Sequence, residues 1–178
     1  MTTDIQLTKF AKARVSWQPQ VNLRFQADGV LSRDVLGQSA RSPRFVSIEA
    51  LVPCGGKADY GLLGISYEPR DAGGLRIEVG YGGAQGARWS SSLAATIDEV
   101  GIGLPTEYAE AVLDGLSESS QQPPSGVLVL VEAAHGLAGS SPDFFRKIAT
   151  ACMGVLVLAE PPEADEALAA LLRGTLVT

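Results

Sequence analysis

At 178 residues, 46% apolar and only 19% charged, the chain can bury one domain-sized core, which excludes wholesale disorder. No apolar run approaches the roughly 18 residues needed to cross a bilayer, so no membrane partner is expected. The net charge of −6 argues against broad, nonspecific nucleic-acid binding.

The first ten residues, MTTDIQLTKF, carry no apolar signal core, and a cytoplasmic setting is the expectation. Cys54 and Cys152 are too few and too far apart for a disulfide framework or a zinc site, and they read as small apolar fillers. The charge is unevenly spread. Residues 1–57 hold eight basic side chains against four acids, the remainder six against sixteen. Attraction for phosphate is therefore expected from the first third, the alternative being a set of solvated surface charges.

Twenty glycines and ten prolines predict many turns and short strands. Residues 1–20 alternate poorly and read as an irregular arm or a first edge strand. Val21, Leu23 and Phe25 alternate with polar neighbours, the period of a half-buried strand. Residues 28–43, rich in Ser, Arg, Gly and Asp, read as a long loop. Arg44 to Val52 is the next strand, closed by Pro53 and a Cys54-Gly55-Gly56 turn. Tyr60 to Tyr67 follows, then a turn at 68–74 and a strand over Leu75, Ile77 and Val79. Gly80 to Gly86 reads as a glycine hairpin with its return strand at Trp89 to Ile97.

The period then changes. Pro105 fits the first turn of a helix whose apolar face is Tyr108, Ala109, Val112, Leu113 and Leu116. A polar linker over 117–125 leads to Gly126–Ala134, apolar enough to be a central strand. Ser141-Pro142-Asp143 opens a second helix with a capping hydroxyl, a proline at the first position and an acid at the positive end of the dipole. Phe145, Ile148, Cys152, Val155 and Leu156 form its buried stripe. Pro161-Pro162 stops it, and Glu163 to Leu172 makes a terminal helix. The expected fold is α+β: a mostly antiparallel sheet with two main helices on one face, in a single domain over 1–178.

No catalytic constellation is visible. The glycine run fails as a dinucleotide fingerprint, because its third required glycine is Gln85 and no helix follows. No P-loop motif occurs. His135 is the sole histidine and has no metal-spaced partners, so neither a metal nor a cofactor is expected. It ends a central strand ahead of a helix start, where free amides can hold an anion; the plain alternative is a loop histidine followed by a serine cap. Asp98-Glu99 and the acids of 163–166 read as solvated turn or helix residues.

Several stretches together resemble domain IV of elongation factor G and related translational GTPases. Tyr60-Gly61-Leu62-Leu63-Gly64-Ile65 resembles that family's Tyr-Gly strand. Pro105-Thr106-Glu107-Tyr108 through Val112 is similar to its Pro-x-x-Tyr-x-x-Ala-Val helix start, with Leu116 closing the helix. Val127–Val131, then His135 to Gly139, Ser140-Ser141 and Phe145, resemble its strand, tip loop and serine-started helix, with Gly139 standing where the family has an acid. The likeness spans about residues 60–158. It leaves the basic strands and loop of 1–57 outside a core over 58–160, with a C-terminal helix over 161–178.

The resemblance implies the ribosomal-protein domain 2-like superfamily fold, no GTPase, and a non-enzymatic role in translation. It further implies tip loops that contact ribosomal RNA or a protein partner on the ribosome. By position the tip comprises Gly55, Gly56, Lys57, His135 and Gly136, joined by Ser140 and Ser141 at the helix start and by Arg41 and Arg44 from the basic third. Two other expectations stand beside it. Gly136-Leu137-Ala138-Gly139-Ser140-Ser141 also resembles, with one insertion, the phosphate loop of the galactokinase, homoserine kinase and mevalonate kinase group, implying an anion- or nucleotide-binding module. An exposed edge at 21–27 or 44–52 would instead support self-association as a homodimer.

Overall fold

The structure is a computed structural model and describes residues 1–39, 41–71, 73–83, 86–118, 123–158 and 165–178. Among the described residues, eight strands form one sheet: β1 (Thr2–Gln6), β2 (Lys12–Ser16), β3 (Gly29–Leu36), β4 (Arg44–Cys54), β5 (Lys57–Pro69), β6 (Gly74–Tyr81), β7 (Val100–Ile102) and β8 (Gly126–Gly136). Three α-helices lie among the same residues: α1 (Thr106–Ser117), α2 (Pro142–Leu156) and α3 (Asp165–Leu176). The strand order is β1-β2-β4-β5-β8-β6-β3, with β7 added to β8. Every pairing is antiparallel except β6 with β8, which the α1 crossover makes parallel.

The alternation of β4 and β5 explains why the helices share one face. Val46, Ile48, Ala50, Leu63 and Ile65 pack into a core with Phe145, Ile148 and Cys152 of α2 and Val112 and Leu116 of α1. Tyr60, Leu62 and Leu51 point the other way, into a second, smaller core with Ala94, Val100 and Leu23. Gly61 faces α2, where a Cβ would lie 2.6 Å from Ile148 Cδ1 and 3.2 Å from Phe145 Cζ, so a larger residue there requires those side chains to shift. The predicted stripe of α2 is buried throughout.

β8 carries a bulge. Gly64 opposes Glu132 but Ile65 opposes Leu130, so Val131 is the extra residue and the facing of the strand reverses across it. Leu128, Leu130 and Ala133 thereby face the helices, while Glu132 and Ala134 face the second core.

Four predicted elements differ. Residues 28–43 contain an edge strand, β3, rather than a long loop. Val21–Leu23 is a single 3-10 turn in which Val21 is exposed and only Leu23 is buried. Residues 89–97 form successive turns, not a return strand. Neither 21–27 nor 44–52 offers a free edge, since β4 is flanked by β2 and β5; the sheet ends at β1 and β3. Gln85, the centre of the 117–125 linker and the Pro161-Pro162 stop lie outside the described residues, and α3 runs over Asp165–Leu176, further than the predicted Leu172.

Candidate functional site

β4, β6 and β8 end where β5 and β3 begin, so one end of the sheet collects the β4–β5 hairpin, the loop after β8 and the start of α2. Gly55 and Gly56 have φ of 53° and 88°, as the two-residue primed hairpin turn requires, and Lys57 follows them, exposed. Gly56, Lys57 and Ala58 form one wall of a groove of about 440 Å³. Ala138 and Gly139 form the other, and Ile97 and Asp98 the third side. Ile97 and Leu137 are largely exposed beside it.

Tyr60 anchors this end. Its amide donates to Gly139 O at 2.5 Å and its carbonyl accepts from Ser140 Oγ at 2.6 Å, tying the loop to β5. Ser140 Oγ also accepts from the Gly136 amide at 2.9 Å. Ser141 caps α2, accepting from Phe144 N at 3.2 Å. Asp98, read from sequence as a solvated turn acid, reaches across to accept from Gly139 N at 2.9 Å and from Ala138 N at 3.2 Å. The loop amides that an anion would need are therefore already held by a carboxylate of the chain.

His135 lies beside the groove rather than in it. Its Nδ1 sits 3.1 Å from Gly103 O, and because a carbonyl only accepts, Nδ1 is the donor of this hydrogen bond. The ring faces a smaller cavity of about 230 Å³ walled by Gly82, Gly83 and Pro105, with Arg88 at its rim.

The sequence grouped Arg41 and Arg44 with the tip, but the structure separates them from it. Arg44 starts β4 and Cys54 ends it, so both arginines lie at the opposite end of the sheet. Arg44 Nη1 donates to Leu156 O at 3.1 Å and also to Leu158 O, and Arg41 Nη1 donates to Val157 O. They satisfy the last carbonyls of α2, where cations are favoured by the helix dipole.

Two buried carboxylates on the second face escaped the sequence reading. Glu49 accepts from Leu93 N (2.7 Å), Tyr60 OH (2.9 Å) and Arg14 Nη1 (3.1 Å). Burial raises its pKa, and these donors oppose the rise. Glu132 is wholly buried; Oε1 accepts from Gln20 N and Oε2 has no partner among the described residues. Burial pushes it up to about 7. No spacing signal marks either residue: Glu49 occupies an ordinary outward position of a strand, and Glu132 depends on the bulge for its direction.

Among the described residues, no group of three or more His, Cys, Asp or Glu gathers to hold a metal ion, and no helix is long and apolar enough to cross a membrane. The comparisons find no family model, no curated protein and no solved structure similar to this chain. The functional reading rests on the geometry of the hairpin end.

Proposed function

We propose that the chain is a non-enzymatic binding module, built like domain IV of elongation factor G, that meets ribosomal RNA with the hairpin end of its sheet. One observation carries the reading: the Gly55-Gly56-Lys57 hairpin and the loop after β8 line a single groove. The element order supports the kinship. β4, β5, β6, α1, β8 and α2 follow the succession of strands, helix, strand and helix that the resemblance implies. Lys57 is exposed and forms no ion pair among the described residues, with Asp59 the nearby carboxylate that its charge favours, so it can turn to a phosphate. With few phosphates neutralised, binding is modest and falls with salt.

An anion or nucleotide at Ser140-Ser141 has less behind it, because Asp98 and the two serines already take the amides of Gly136, Ala138, Gly139 and Phe144.

The test is co-sedimentation with ribosomes at low salt, with and without crosslinking. The full chain is expected in the ribosomal fraction, with Lys57→Glu shifting it toward the light fractions. A protein that stays light even after crosslinking overturns the proposal.

A further inference from the structure

The first third holds the excess of basic charge, and the structure shows where that charge is spent. Arg14 pairs with Asp4 and Glu49, Arg33 with Asp114, and Arg41 and Arg44 hold the end of α2. Lys9, Lys12 and Lys57 form no ion pair among the described residues. These are three of the chain's four lysines, and they lie at one end. Lys12 is in register with Leu51, so the β1–β2 loop rises beside the β4–β5 hairpin. Strand spacing and rise place Lys12 and Lys57 about 15 Å apart.

On the β1–β2 loop, outward of Lys12 in the strand order, stands Phe10, 67% exposed, with Lys9 Nζ 5.2 Å from its ring centroid. The loop that carries it is firmly built. Leu7 and Ala11 are buried at its base. Ala11 O accepts from Leu7 N at 2.9 Å, Thr8 N at 3.1 Å and Gln6 Nε2 at 3.1 Å, and Thr8 Oγ1 accepts from Ala11 N at 3.0 Å. An ordered turn thus holds an aromatic ring out in water beside ammonium groups that form no ion pair among the described residues, Lys9 lying over one face of the ring. That combination suits a single-stranded polyanion with flat bases: the ring stacks a base, and the lysines meet the flanking phosphates.

We infer that the β1–β2 loop makes the hairpin end a single-stranded RNA surface, with Phe10 stacking a base and Lys9, Lys12 and Lys57 on the phosphates. The inference rests on the reading of this end as the one that faces RNA, and it adds residues outside the stretch that carries the resemblance.

The test is fluorescence anisotropy of a labelled oligouridine of about eight nucleotides with the full chain at low salt, a length within the range such surfaces cover. Wild type is expected to bind, Phe10→Ala to weaken binding about tenfold or more, and Phe10→Trp to retain it. The Lys9→Gln/Lys12→Gln pair is expected to weaken binding and to flatten its salt dependence. Inorganic polyphosphate, which has no bases, is expected to bind wild type and Phe10→Ala alike. Oligouridine binding that Phe10→Ala leaves unchanged, or no binding by wild type, overturns the inference. If wild type ignores the oligonucleotide yet co-sediments with ribosomes in a Lys57-dependent way, this inference falls and the proposed function stands. If neither binding occurs, both fall.

Discussion

Asp98 Oδ2 accepts a hydrogen bond from the backbone amide of Gly139 at 2.9 Å, so a turn on the second face clasps the loop that follows the central strand. The Ala138 amide joins the same carboxylate. Charge-assisted bonds of this kind contribute about 1–2 kcal/mol when partly exposed. Asp98→Ala is therefore expected to lower Tm by about 2–6 °C. It should also speed hydrogen exchange at Ala138 and Gly139 while leaving α3 unaffected. Inorganic phosphate should raise Tm in the variant, whose amides are freed, and not in wild type. A phosphate shift of equal size in both proteins would show that Asp98 does not occupy the anion position.

The serines of the same loop do different work. Ser141 caps α2 through one acceptor, and Ser141→Ala is expected to cost about 1 kcal/mol. Ser140 bonds both Gly136 N and Tyr60 O, so Ser140→Ala removes two ties and unlatches the loop from β5. Co-sedimentation should suffer more from Ser140→Ala than from Ser141→Ala, although both variants remain folded by circular dichroism.

Arg44 and Lys57 separate structure from binding. Arg44→Ala leaves α2 carbonyls without a charged donor and is expected to destabilise the chain by about 1–2 kcal/mol. It lies at the far end of the sheet, so its ribosome binding should match wild type at temperatures where both are folded. Lys57→Glu should do the reverse, binding less at unchanged Tm.

The parts legible in the sequence are those where one local pattern decides the outcome. β8 is apolar over Gly126–Val131 and again at Ala133–Ala134, with Glu132 alone charged, because it is central, and α2 starts at a serine–proline–aspartate cap whose bond to Phe144 the structure shows. β3 was not legible because an edge strand buries little. Its side chains alternate between exposed and half-buried, so Ser32, Arg33 and Asp34 cost nothing there and read as loop. The alternation at Val21, Leu23 and Phe25 misled for the opposite reason: a chance period over five residues, with Leu23 alone buried. The groove was half legible. Its hairpin and loop are local motifs, whereas Asp98 joins them through a contact 41 residues away that no spacing rule registers.

Glu132 gives the clearest pH dependence. Its carboxyl is buried beneath the turn at Gln20, with Arg24 the nearby charge that favours ionisation. Gly64 leaves it room: a Cβ there would lie 2.9 Å from Glu132 Oε2. Burial raises the folded-state pKa from 4.5 to about 7, so the folded chain holds this proton more tightly than the unfolded one. The stabilisation is complete below pH 4.5, declines as pH rises toward 7, and is gone above that; the full span corresponds to about 3 kcal/mol. Glu132→Gln keeps an oxygen for Gln20 N and carries no charge to bury. It is expected to match wild type near pH 4.5 and to exceed it in Tm at pH 8, with a flatter profile between. Parallel Tm–pH curves for the two proteins would mean that Glu132 ionises without penalty, and that its unpartnered oxygen reaches water.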